Sequence, residues 1–195
     1  MNLTAETLFI AARDTLADPR RAAQRVMGLG LSTGEALMAL ALTAALATLL
    51  TSLLQVVMGP LPDPAMAEII GRPFVLAISQ FSLMLGGAFL MWQVGRIFGG
   101  TGSFARALSL VAWLEIVLIL LQIVGTLAVM ILPVLAAPIS LASLFAFFYL
   151  LTHFVAALNG FTSLPKTFFA ILGTAVAVTF GLTLLLLFIL PVPNV

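Results

Sequence analysis

The chain has 195 residues, of which 63% are hydrophobic and 8% charged, and its mean hydropathy is +1.25. Soluble domains carry about a quarter charged residues, so this composition belongs to an integral membrane protein. The formal net charge is +1 with no dense basic patch, which argues against a nucleic-acid partner, and the lack of cysteine excludes disulfides, thiol nucleophiles and thiolate metal sites.

The N-terminus is punctuated by Arg13, Asp14, Asp18, Arg20, Arg21 and Arg25, so it does not read as a signal peptide. Residues 3–17 place Ala5, Leu8, Phe9, Ala12 and Leu16 on one helical arc and Glu6, Thr7, Arg13 and Asp14 on the other. Asp18-Pro19 then restarts the chain as an N-cap followed by proline at the first helical position. In the helix that follows, Arg20, Arg21, Gln24 and Arg25 share a face opposite Ala22, Ala23, Val26 and Met27. Such helices suit a membrane surface, with Arg20, Arg21 and Arg25 toward anionic headgroups.

Gly28, Gly30 and Gly34 mark a junction, after which five apolar stretches are separated by proline and glycine. The expected spans are 35–58, 73–95, 104–131, 134–158 and 166–190. Pro60, Pro62 and Pro64, with Asp63 and Glu68, form the first exit loop, and Pro191 and Pro193 end the last span. The fold class is an all-α five-helix membrane bundle preceded by amphipathic surface helices. It divides into an interfacial region of residues 1–34 and a membrane domain of residues 35–195. Counting Lys and Arg in alternate loops gives Arg13, Arg20, Arg21, Arg25, Arg96, Arg106 and Lys166 on one side and Arg72 on the other. By the positive-inside rule the N-terminus is cytoplasmic and Val195 lies outside.

Stripes of small or weakly polar residues are expected to bring the spans together. They run through Ala41, Ala44, Ala45, Thr48, Ser52 and Gln55 in the first span and Ser79, Ser82, Gly86 and Gln93 in the second. The third has Ala112, Glu115, Gln122 and Thr126, the fourth Ala142, Ala146, Tyr149, His153 and Ala156, and the fifth Ala170, Gly173, Ala177 and Gly181. Glu115 falls about 16 Å into the third span, near mid-membrane, where a carboxyl group must be neutral, paired or hydrated. Depth counting puts Tyr149 and His153 near it, so Glu115, Gln122, Tyr149 and His153 form the expected intramembrane polar cluster. That cluster holds helices together, or lines a proton or ion path and so implies a small transporter or channel, or else Glu115 snorkels or pairs with a partner subunit.

No catalytic, cofactor or metal site is expected. Residues 99–103 read Gly-Gly-Thr-Gly-Ser, which lacks the lysine and the strand of a phosphate loop and reads as a flexible turn. There is no Gly-x-Ser-x-Gly elbow, and one His with one Glu supply too few metal ligands.

Two stretches carry a family resemblance: residues 98–108, Phe-Gly-Gly-Thr-Gly-Ser-Phe-Ala-Arg-Ala-Leu, and residues 158–167, Leu-Asn-Gly-Phe-Thr-Ser-Leu-Pro-Lys-Thr. Together with the Asp18-Pro19-Arg20 segment in a basic N-terminal region, they resemble the Yip family of five-span proteins that interact with Ypt/Rab GTPases. Asn159 stands where the family often has histidine. The resemblance implies a non-enzymatic membrane protein of bacterial type in a cytoplasmic (inner) membrane. It would organise the bilayer or a partner complex, its partners being anionic lipid, other membrane proteins or further copies of itself.

Overall fold

Side-chain caps fix where the chain's first two helices begin. The structure is a computed structural model and describes residues 4–58, Glu68 and residues 71–189. Helix α1 (Ala5–Ala17) starts at Thr4, whose hydroxyl accepts the Thr7 N–H. Helix α2 (Pro19–Met27) starts at Asp18, whose carboxylate accepts the Arg21 N–H at 3.0 Å, with Pro19 in the first turn where its missing N–H costs nothing. Gly30, at φ 64°, turns the chain out of α2.

Among the described residues, five further helices are each long and apolar enough to cross a membrane. They are α3 (Thr33–Met58), α4 (Pro73–Ile97), α5 (Phe104–Ile131), α6 (Ala136–Asn159) and α7 (Leu164–Ile189). Helix α3 begins two residues earlier than expected because Ser32 and Glu35 form a capping box. Glu35 N donates to Ser32 Oγ at 3.3 Å, and Ser32 N donates to Glu35 Oε2 at 2.8 Å. A 3-10 turn at Pro133–Leu135 reverses the chain between α5 and α6, and Gly160, at φ 73°, ends α6. The expected exit loop with Pro60, Asp63, Pro62 and Pro64 lies outside the described residues, as do Pro191, Pro193 and Val195.

Helix α5 is the axis. It packs against α3, α4 and α6 and also against both N-terminal helices. Its N-terminal half is buried on several sides, at Ala107, Leu108, Leu110, Ala112, Leu114 and Val117. Helix α7 is peripheral and packs chiefly on α6.

The N-terminal helices join this body. Thr15 is 1% exposed, and its hydroxyl accepts from Trp113 Nε1 of α5 at 3.1 Å. Ala12 of α1 and Ala23 of α2 belong to the same buried cluster as Leu40, Met91, Leu108 and Phe154. In α2 the expected faces hold: Ala22 and Ala23 are buried while Arg20, Arg21, Gln24 and Arg25 are exposed. In α1 the buried edge is Ala12 and Thr15, and Phe9 points outward.

The small-residue stripes fare unevenly. Ala44 and Thr48 of α3 and Ala112 of α5 are buried as expected. In α4, however, Ser79, Ser82, Gly86 and Gln93 are exposed, and the buried face is Met84, Ala88, Met91 and Gly95. Gly173 and Gly181 of α7 are also exposed, with open space beside each.

Candidate functional site

Two features concentrate the chain's special chemistry: a glycine junction at the end of the bundle that carries α2, and a cleft around Glu115. Helix α4 ends in a glycine turn in which Gly99 takes φ 85° and Gly100 N donates to Gly95 O at 2.8 Å. Ser103 then caps α5 by accepting the Arg106 N–H. Aromatic contact ties the two helix ends: the Trp92 and Phe104 rings are 5.4 Å apart, and the Arg96 guanidinium lies over Trp92 at 5.4 Å.

Asn159, the last residue of α6, enters this turn. It is 3% exposed, and its Nδ2 donates to Met91 O of α4 at 3.3 Å and to Val155 O of its own helix at 3.1 Å. A methyl group on Gly95 or Gly100 would collide with the Asn159 carboxamide, and one on Gly102 would lie 2.6 Å from Leu158 Cγ. Asn159 Oδ1 has no conventional hydrogen-bond partner among the described residues. It sits where the missing glycine side chains would begin, so the glycine Cα–H groups point at it and offer weak C–H···O contacts in place of a full bond. The Gly-Gly-Thr-Gly segment, expected as a flexible turn, is thus a packed socket. The two stretches that carry the family resemblance, 98–108 and 158–167, meet in it.

Arg20 extends the junction. Its Nη2 donates to Phe161 O, 3.2 Å away in the α6–α7 loop, so α2 lies across the same end of the bundle. Arg21 and Arg25 are exposed and have no ion-pair partner among the described residues. Arg72 pairs with Glu68 at 2.6 Å.

Glu115 is half-buried in α5, and its Oε1 accepts from Gln80 Nε2 of α4 at 3.0 Å. Both residues line a half-open cleft of about 390 Å³ walled by α4, α5, α6 and α7. The other three members of the expected cluster lie elsewhere. Gln122 lines a separate cavity of about 440 Å³ between α5 and α6, with Thr126, Ser140 and Ser143. Tyr149 is 43% exposed and packs at a tilt against the His153 ring with centroids 4.4 Å apart, while His153 Nδ1 lies 2.8 Å from Tyr149 O, a hydrogen bond that needs the proton on Nδ1 because a carbonyl oxygen only accepts. The carboxyl group therefore pairs with Gln80, a residue the depth count overlooked. No set of three or more metal-ligating side chains converges among the described residues.

The comparisons with known proteins agree with this architecture. The family model described as Yip1 domain matches residues 13–187. This chain belongs to the Yip1-domain family. The match takes in both halves of the glycine junction and the five long helices, the last of them as far as residue 187. No curated protein and no solved structure matches it.

Proposed function

We propose that this Yip1-domain protein organises membrane, holding a basic helix against the anionic headgroups of the cytoplasmic leaflet while its spans pack with neighbouring membrane helices. The observation that carries this reading is the split of α2, whose alanines are buried on α5 and α6 while Arg20, Arg21 and Arg25 face out. Burial of Ala22 and Ala23 orients the arginines without needing lipid to do so. Each arginine near an anionic surface contributes on the order of 1 kcal/mol.

The orientation proposed has the N-terminus in the cytoplasm and the C-terminus outside. It is supported by the grouping of Arg13, Arg20, Arg21, Arg25, Arg96, Arg106 and Lys166 in segments around the glycine junction, with Arg72 in the loop before α4. The exposed half of α7, with Gly173, Ala177 and Gly181, would supply the helix-packing side of the role. A bacterial inner membrane is the setting this reading assumes.

The chain has no cysteine, so Gln24→Cys places a single thiol on the basic face. Its modification by a water-soluble maleimide should be slower in vesicles rich in anionic lipid than in zwitterionic ones. Replacing Arg20, Arg21 and Arg25 together by Gln should remove that difference. Equal rates in both vesicles with the arginines intact would refute the headgroup contact.

A further inference from the structure

We infer that the cleft between α4 and α7 binds a neutral, membrane-dissolved amphiphile through a hydroxyl group, with Glu115 and Gln80 as its polar anchor. The inference is independent of the role proposed for α2.

A volume of about 390 Å³ lies within the range of small-molecule sites, which are mostly apolar with a few placed polar groups. The cleft has that character. Leu83, Leu90, Val94 and Phe147 contribute apolar wall, and the space exists because Gly87 and Ala170 leave it unfilled.

Among the described lining side chains, an unused side-chain N–H and an unused carboxyl oxygen occur together at one place. Thr167 and Thr174 donate their hydroxyls to carbonyls of their own helix, Ser163 O and Ala170 O, at 2.9 and 2.8 Å. Glu115 uses Oε1 for Gln80, and its Oε2 has no hydrogen-bond partner among the described residues. The second N–H of Gln80 is likewise unused, because that side chain makes the single bond to Glu115.

Depth selects the ligand. Glu115 lies eleven residues past the start of α5, about 16 Å along the helix, which is near mid-bilayer. A charged or zwitterionic headgroup does not reach that depth without a large desolvation cost, whereas a single hydroxyl does. Once there, the hydroxyl has no water to compete for it, so pairing with Glu115 recovers a hydrogen bond otherwise unmade. A hydroxyl both donates and accepts, so it satisfies the carboxyl group in either ionic form. The shared chemistry is an apolar body carrying one hydroxyl, whether a flexible chain or a rigid polycycle.

The test uses the whole chain reconstituted in lipid and a photoactivatable diazirine analogue of a long-chain fatty alcohol, with peptide mass analysis of the crosslinks. Labelling should concentrate on the cleft-facing parts of α4 and α7. Unlabelled long-chain alcohol should compete about tenfold better than its methyl ether, which cannot donate, as loss of one hydrogen bond implies. A polycyclic alcohol run as a second competitor distinguishes chain from ring as the source. Gly87→Leu should abolish the focused labelling by filling the cleft, and a Cβ at Gly87 meets nothing within 4 Å, so the bundle tolerates the start of that side chain. The competition experiment on the unaltered chain stands even if that variant folds poorly. Equal competition by alcohol and ether, or labelling spread evenly over the lipid-facing helices, would overturn the inference.

Discussion

The Asn159 carboxamide occupies the space that a side chain on Gly95 would need, and its Nδ2 donates to Met91 O one turn earlier on the same helix. Glycine is thus required at position 95 by the proximity of α6 and not by its own backbone angles, since Gly95 is helical and has no positive φ. The contact joins the end of α6 to the end of α4.

This geometry makes a prediction with an internal control. Gly95→Ala and Gly100→Ala should each destabilise the bundle by about 1–3 kcal/mol, as overpacking does. The atoms that meet a Cβ on Gly95 are Oδ1, Cγ and Nδ2 of Asn159, all beyond its Cβ. Those that meet a Cβ on Gly100 include Asn159 Cβ itself, at 2.6 Å. Asn159→Ala should therefore relieve Gly95→Ala but leave Gly100→Ala destabilised. Thermal melting of the single and double variants in mild detergent measures the difference, and equal relief of both would contradict the socket.

Trp113 and Thr15 give a second prediction, about how α1 is held. The indole donates to a threonine that is itself bonded to Ala11 O at 2.7 Å, so the hydroxyl serves as donor and acceptor at once. Thr15→Val keeps the shape and removes both bonds, leaving the indole N–H unpaired, at a cost of about 1–3 kcal/mol. Because that loss is confined to the α1 contact, α1 should become protease-sensitive before the five long helices do. Uniform proteolysis of the whole chain would instead place α1 in the cooperative core.

Much of this architecture is legible in the sequence, for reasons that also mark where legibility stops. Proline and glycine end helices locally, so the five apolar stretches and the Asp18-Pro19 restart could be read directly. The α2 face was readable because polar and apolar residues differ strongly there. Inside the membrane that contrast vanishes, since the side facing lipid and the side facing protein are both apolar. In α4 the small and polar residues Ser79, Ser82 and Gly86 proved exposed, while Met84, Ala88 and Met91 pack inward. The partners of Glu115 and Asn159 were hidden for a different reason. Gln80 precedes Glu115 by 35 positions, and Met91 precedes Asn159 by 68, so tertiary placement alone unites them. Counting depth from the helix ends suggested Tyr149 and His153, but it carries no information on which way a side chain points.

The start of α3 has a purely local signature. Ser32 and Glu35 have the spacing of a capping box, and both reciprocal bonds form. Ser32→Ala should cost about 0.5–2 kcal/mol. Ser32→Asp should recover most of that, because aspartate caps comparably well. Chemical denaturation of the three proteins in detergent would check the order, and an alanine variant as stable as the parent would show that tertiary packing alone fixes this helix start.

The last prediction concerns whether the Gln80–Glu115 bond stabilises the bundle or merely satisfies a group that must be satisfied. Gln80→Leu leaves the Glu115 carboxyl group without its protein partner in a mostly apolar cleft, which should destabilise by about 1–3 kcal/mol. Glu115→Gln keeps an acceptor facing Gln80 and should cost less. Replacing both by Leu removes the polar demand together with its partner, so the double variant should be more stable than Gln80→Leu alone, a coupling of about 0.5–3 kcal/mol. Glu115→Leu alone completes the cycle, and melting the parent, the three single variants and the double variant side by side tests this directly. Simple additivity would mean that Glu115 is satisfied by water or lipid in the cleft, and that its bond to Gln80 contributes nothing to holding α4 against α5.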